Sequence, residues 1–226
     1  MGREEFDLLG PWTSGFLRDG QWIGGSYDPI GDPRMKLVRG AFEPCGRILE
    51  LGSLESGHTV SLSRWCDEVV AVEGRPDNLA RAGLVLDLFD VRNARLVLGD
   101  LERMRLADFG HFDLVVCIGV LYHLPDPLRL LDEMRAVSPR LFLWTHYAAP
   151  GASGDYREHG MADPLSGLSP TSTWLSEGQL MEELGARYEQ VDVLDRGSGG
   201  GDGPSGTDPA HQWVTVACRL EANGVL

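Results

Sequence analysis

Five short apolar runs punctuate the middle of the chain, at 47–51, 68–73, 94–98, 112–118 and 140–144, with helical patterning in all but one of the gaps between them. Runs that are apolar at nearly every position, rather than at alternate ones, predict strands buried on both faces. That is the situation of a parallel sheet with helices above and below. The helices are marked by their starts and their stripes. Asp32-Pro33 opens one with Met35, Val38 and Phe42 on one face, and 57–65 is the next. Pro76 starts a third, with Asp77 and Asn78 in its first turn and Leu79, Ala82, Leu86 and Phe89 as its buried stripe. Asp126-Pro127 caps a fourth that carries Leu128, Leu131, Met134 and Val137.

The two ends of the chain are patterned differently. Residues 1–31 carry Phe6, Trp12, Phe16, Trp22 and Tyr27 among Gly10, Gly15, Gly20, Gly24 and Gly25 with no clear period, which predicts an irregular arm or lid ahead of a single domain at 32–226. Residues 147–173 are loop-like. Ser176-Glu-Gly-Gln179 has capping-box spacing before Leu180, Met181 and Leu184, with Gly185 as the stop. Alternating runs at 188–194 and 212–219 predict two last strands that pair directly across a flexible connection at 197–209. The expected fold is α/β, a Rossmann-like, doubly wound, seven-stranded mixed sheet with one antiparallel edge strand.

With 20 Lys and Arg against 34 Asp and Glu, the net charge of −14 gives no pull toward a phosphate backbone and argues against a nucleic-acid partner. The opening Met1-Gly-Arg-Glu-Glu-Phe6 lacks the apolar stretch of a secretory signal, and the longest apolar run, 114–122, is too short to cross a bilayer. Cys45, Cys66, Cys117 and Cys218 form no CxxC pair, so a cytoplasmic protein without disulfides is expected, and no spacing demands a metal.

In an open α/β sheet, ligands bind at the carboxyl ends of the strands, so the polar residues there are the candidates. The first strand ends in Glu50-Leu-Gly52-Ser53, where glycine admits a ligand to the backbone. The second ends at Glu73-Gly74, a carboxylate placed to accept both hydroxyls of a ribose. The third ends at Asp100-Leu101, an acceptor suited to an exocyclic amine, and the fourth runs into Gly119-Val-Leu-Tyr122-His123.

On these pieces, with His58-Thr59 and Phe112-Asp-Leu-Val-Val-Cys-Ile118, the sequence resembles the class I S-adenosylmethionine-dependent methyltransferases over 45–220. The resemblance implies S-adenosyl-L-methionine as cofactor. Glu50 and Gly52, with Ser53, would border its methionine portion, and Glu73, with Gly74, would hold the ribose diol. Asp100 and the Leu101 amide would read the adenine, and Gly119 would line the sulfonium end. The family's first loop usually has three alternating glycines, of which only Gly52 is present; Leu54 and Ser56 replace the others, and they are expected to present their N–H groups with φ negative. A nicotinamide dehydrogenase would want G-x-G-x-x-G here, and Gly52-Ser-Leu-Glu-Ser-Gly57 lacks the middle glycine.

The expected acceptor atom is an oxygen ahead of an amine nitrogen, with carbon a third option; an amine needs only its lone pair, whereas transfer to a hydroxyl calls for a base, and His123 and His146, after the fourth strand and at the end of the fifth, are the candidates. Each has an alternative as a hydrogen-bonded structural histidine. His58 is expected to face solvent or cap its helix. Tyr122 and Tyr147 would shape the acceptor pocket, joined by Trp22 and Tyr27 from the arm; Trp12, Trp22 and Trp174 serve equally as a lid or as core. The segments Gly24-Gly-Ser-Tyr-Asp-Pro29 and Leu143-Trp-Thr-His-Tyr147 are similar to a bacterial branch of these methyltransferases, which implies a metabolite, natural-product or saccharide acceptor. Gly119-Val-Leu-Tyr-His123 is also similar to enzymes that modify a wobble uridine in transfer RNA, against which the acidic charge speaks. The rival from another class is a non-catalytic module that keeps the fold. An exposed aromatic arm makes a homodimer an option.

Overall fold

The computed structural model describes residues 6, 8–152, 154–160, 163–198 and 211–220, and the chain divides into two compact units, 1–99 and 100–226.

The first unit begins with the aromatic arm. Within it β1 (Gly15–Arg18) and β2 (Gln21–Gly24) form an antiparallel hairpin with Arg18 opposite Gln21. The sequence pattern predicts an irregular arm instead. Asp19 and Gly20 take φ of 49° and 77°, the two left-handed positions of a tight hairpin turn, for which Asp-Gly is a favoured pair. Phe6 stacks on Trp12 with centroids 3.8 Å apart, and Phe16 meets both edge-on. Phe6 and Phe16 are buried in one apolar cluster with Val60, Val85 and Leu86, so the arm is part of this unit's core.

After the arm come α1 (Arg34–Ala41), β3 (Cys45–Leu51), α2 (Gly57–Ser63), β4 (Cys66–Glu73), α3 (Pro76–Leu88) and β5 (Ala94–Leu98). Pro76 and Asp77 occupy the first turn of α3, as their chemistry favours. Strands β3, β4 and β5 are parallel, with Leu51 beside Val72 and Glu73 beside Leu98. The register brings the carboxyl-terminal residues of β3 and β4 level with each other.

The second unit holds β6 (Leu114–Ile118), a 3₁₀ turn at Leu121–His123, α4 (Pro127–Val137), β7 (Arg140–Ala148), β8 (Asp155–Arg157), β9 (Thr171–Thr173), α5 (Glu177–Arg187), β10 (Gln190–Ser198) and β11 (His211–Arg219). The Asp126 carboxylate caps α4 by accepting the Arg129 N–H, and the capping box of Ser176 and Gln179 is formed at the start of α5. The seven-stranded sheet has the order β10-β11-β7-β6-β3-β4-β5. The last two strands pair antiparallel as expected; β11 is the reversed strand, set between β7 and the edge strand β10.

Two segments differ from their sequence patterns. Strand β7 continues past Trp144 to Ala148: its pairing with β6 ends at Ile118 opposite Trp144, but β11 pairs it along its whole length, from Arg219 at Arg140 to His211 at Ala148. The long strand pairing supplies hydrogen bonds that a local apolar pattern does not reveal. The stretch 147–173 contains the short antiparallel pair β8 and β9, with Tyr156 opposite Ser172. The predicted connection at 197–209 lies, from 199 on, outside the described residues. Among the described residues no helix is long and apolar enough to cross a membrane, and no group of three His, Cys, Asp or Glu side chains is placed to hold a metal.

Candidate active site

In the first unit the strand ends converge on the loop after β3. The Glu50 carboxylate is buried and accepts the Thr59 hydroxyl at 2.5 Å. Burial pushes its carboxyl up to about 8, with the Thr59 bond opposing and the Glu73 charge adding to the rise. The N–H groups of Gly52 and Ser53 both donate to the Val72 carbonyl, at 2.9 and 3.0 Å, which turns the chain away from the sheet. Gly52 has φ of 74°.

Leu54 and Ser56 are left-handed as well, at φ 49° and 61°, and not negative as their residue types predict. The loop therefore keeps the backbone course that glycines would favour while carrying side chains that disfavour it. The hydroxyls of Ser53 and Ser56 are buried and have no hydrogen-bond partner among the described residues. Glu73 is buried with three donors: the Leu54 N–H at 2.8 Å on Oε2, and the Arg75 N–H at 2.8 Å and the Asn78 amide at 3.4 Å on Oε1. Burial raises its pKa against the pull of these bonds. Gly74 follows directly and is half-buried.

His58 is not a solvent-facing cap. Its Nε2 lies 2.9 Å from Asp32 Oδ2 and 3.0 Å from the Tyr27 hydroxyl. Tyr27 donates to Asp32 at 2.5 Å, and Arg34 Nε reaches the same carboxylate at 2.9 and 3.0 Å. Burial works to raise the Asp32 pKa, but the bonds from His58 and Arg34 prevail and hold it well below the ordinary carboxylate range. Tyr27 thus belongs to a charge network that ties the arm to α2. Trp22 is apart from it, nearly half exposed at 44%, with its indole N–H on the Gly25 carbonyl.

In the second unit Asp100 accepts the Glu102 N–H at 2.9 Å and stays partly exposed, with Arg103 at 3.4 Å. Leu101 is buried and its carbonyl accepts a bond from the Arg129 guanidinium. Gly119 has φ of 74°, and a Cβ there would meet only ordinary contacts, 3.7 Å from the Tyr122 hydroxyl and 3.9 Å from Trp144. Its backbone conformation, not lack of room, is what calls for glycine.

Beyond Gly119 the 3₁₀ turn presents His123, whose Nδ1 lies 3.0 Å from Glu158 Oε2. Glu158 is buried and receives three more donors: the Ser166 hydroxyl at 2.8 Å, the Gly167 N–H at 2.8 Å and the Ser172 hydroxyl at 2.7 Å. Burial acts to raise its pKa, yet the His123 bond and charge, with Ser172 and Gly167, hold the carboxyl down to about 2. The carboxylate is therefore charged and fixed, and it orients the imidazole with Nδ1–H toward it and Nε2 turned away from it.

Aromatic rings surround this pair. Tyr122 packs on His123 at 4.1 Å and meets His146 at 4.6 Å and Trp174 at 5.6 Å. His146 stacks on Trp174 at 5.4 Å, and Trp174 on Tyr156 at 4.9 Å. His146 lies inside β7, not at its end, and its Nδ1 is 3.2 Å from the Gln212 carbonyl. Its neighbour Tyr147 points to the opposite face of the strand, where burial and the Glu177 charge raise its pKa, so it is not brought to Tyr122. Nothing local in the sequence marks Tyr156, because strands of three residues leave no period to detect, or Glu158, which lies just past β8.

A family model described as a methyltransferase domain matches residues 49–139. Among solved structures, the N-terminal domain of EvdMO1 with SAH bound is 30% identical, covers 96% of this chain and 95% of that one, and superposes with a TM-score of 0.83. The same domain in the presence of SAH and D-fucose is 29% identical, with the same coverage and TM-score. The chain spans 46% of the length of full EvdMO1. The N-methyltransferase NodS from Bradyrhizobium japonicum WM9, in complex with S-adenosyl-L-homocysteine, is 16% identical over 85% of this chain and 88% of that one, with a TM-score of 0.57, a likeness of fold alone. No curated protein matches the chain by sequence. With a full-length likeness at 30% identity to an SAH-bound domain and the methyltransferase model over its central strands, the chain belongs to the class I S-adenosylmethionine-dependent methyltransferases and is an enzyme of that kind.

Proposed function

We propose that the enzyme methylates a hydroxyl of a saccharide or saccharide-bearing small molecule, with His123 as the base. The observation that carries this is the bond of His123 Nδ1 to the buried Glu158 carboxylate, because a nitrogen nucleophile needs no such base and a hydroxyl does. The aromatic rings of Tyr122, Trp174 and Tyr156 beside it suit the apolar face of a sugar ring, and D-fucose accompanies the similar EvdMO1 domain.

S-adenosylmethionine, when bound, supplies a methyl group on a cationic sulfur. Toward it we assign Glu73 to the ribose diol, Glu50, Gly52 and Ser53 to the methionine portion, Asp100 and the Leu101 amide to the adenine, and Gly119 to the sulfonium end. Features of this chain fit the assignment. Ser53 Oγ is a buried hydroxyl without a partner among the described residues, Asp100 keeps exposed carboxylate, and Gly119 turns the backbone with φ of 74° beside the Tyr122 hydroxyl. Glu158 holds the His123 ring and balances the charge that grows on it as Nε2 takes the hydroxyl proton. His146 and Trp174 form the apolar wall that excludes water from that proton transfer.

The test is incubation with S-adenosylmethionine and a panel of free, nucleotide-linked and glycosidic deoxysugars, followed by mass spectrometry and localisation of the new methyl by NMR. An O-methyl sugar formed by the native protein and not by His123→Ala is the expected result. Methylation at nitrogen, or of transfer RNA in preference to every sugar, would overturn the proposal.

A further inference from the structure

Three features of the first unit meet at the loop after β3. The loop carries leucine and serine at two left-handed positions, Leu54 and Ser56. Between them stands Glu55, which is 1% exposed. Its two carboxylate oxygens accept consecutive backbone N–H groups of the arm, Thr13 at 3.0 Å on Oε1 and Ser14 at 2.5 Å on Oε2. The Arg81 guanidinium stands 4.0 Å from Oε1 and donates from the same Nε to the Leu9 carbonyl at 2.7 Å, so the arm is held from both sides of this carboxylate.

A second clamp lies two residues on. A Cβ on Gly57 would collide with the Pro29 ring of the arm, so α2 begins in direct contact with it. On the other flank the Leu54 N–H is spent on Glu73 Oε2, the carboxylate assigned to the ribose.

A non-glycine residue keeps a left-handed backbone only where its surroundings over-determine it. Here the surroundings are the arm, and Glu55 is the link. We infer that Glu55 is the positioning residue of the cofactor loop: by anchoring the loop to the Thr13 and Ser14 amides it holds Leu54 and Ser56 left-handed, and so keeps the Leu54 N–H on Glu73. The inference rests on the assignment of this loop to the cofactor. Glu55 touches no ligand in this scheme; it replaces, through a tertiary contact, the conformational ease that glycines give elsewhere in the family.

The experiment is a mutant cycle read by calorimetric titration with S-adenosylhomocysteine, which needs no acceptor and no turnover. Glu55→Ala and Glu55→Gln are each measured in the native loop and in a loop carrying Leu54→Gly and Ser56→Gly. Glu55→Ala should weaken binding by about tenfold in the native loop, because the competent conformer becomes a minor one, and by less than about threefold in the glycine loop. Glu55→Gln retains an acceptor for one amide and should fall between. Equal losses in the two loops would mean that Glu55 acts only on overall stability, and no loss in the native loop would mean that it does not set the loop; either overturns the inference. If Glu55→Ala does not fold, Glu55→Gln carries the same comparison. Glu73→Ala serves as the control: undiminished binding there would remove the loop from the cofactor, a separate failure from that of Glu55.

Discussion

Exchange of Glu158 for glutamine keeps the outline of the side chain and removes its charge. The ordinary carboxyl value is 4.5, and four converging donors bring it to about 2 in the folded protein. At about 1.4 kcal/mol for each unit, that gap corresponds to stabilisation on the order of 3 kcal/mol. Because the folded value lies below the unfolded one, the stabilisation is complete above about pH 5 and is lost as the pH falls toward 2. An amide can still accept the bonds that reach Oε2 and let the Ser172 hydroxyl turn to accept its N–H, so geometry survives while charge does not. Glu158→Gln should therefore be about 2–3 kcal/mol less stable than the native protein at neutral pH, with more than half of the difference gone by about pH 3. Urea denaturation at several pH values measures this directly. In the same protein the rate of methyl transfer should fall by about 10- to 100-fold, the loss of one charge-assisted bond to His123, the proposed base. A stability difference that persists unchanged into acid would refute the charge argument. Native transfer rates in a destabilised variant would remove Glu158 from any part in the chemistry.

Glu73→Ala should weaken S-adenosylhomocysteine binding by more than about tenfold in calorimetry, since a charged bidentate acceptor is lost. His123→Ala should abolish transfer while leaving that affinity intact, whereas His146→Phe, which preserves the stack on Trp174, should retain transfer with a raised acceptor KM. The opposite ranking in steady-state kinetics would exchange the roles of the two histidines. Asp32→Asn removes the buried charge that faces Arg34 and His58 and should cost about 3 kcal/mol of stability in denaturant melts at neutral pH, a difference that narrows in acid because the Asp32 carboxyl titrates below its ordinary value.

The alternation of apolar strands and capped helices was legible because each signal is local. Pro76 at a first turn, the Ser176–Gln179 box and the runs that became β3, β4, β5 and β6 need nothing from elsewhere in the chain. What escaped depends on distant partners. The length of β7 is set by β11, and β8 and β9 are too short to carry a period. The Asp19-Gly20 turn was local and readable, but the lack of alternation around it hid the hairpin. In the candidate site the strand-end residues Glu50, Glu73, Asp100 and Gly119 stood out by position. Glu158 did not, since nothing in its neighbourhood signals that Ser166, Gly167 and Ser172 fold over it and hand it to His123. Likewise, the residue types at Leu54 and Ser56 argue for ordinary backbone angles, and nothing local to them signals that Glu55 between them bonds the main chain at Thr13 and Ser14.

The bonds from Glu55 to Thr13 and Ser14 join positions 42 and 41 residues apart. Because the donors are main-chain N–H groups, the link constrains the course of the arm's backbone and not the side chains at 13 and 14, proline apart. A chimera that grafts the first thirty or so residues from another methyltransferase onto this sheet would therefore work only where the grafted arm brings two consecutive main-chain N–H groups to the same place against Glu55.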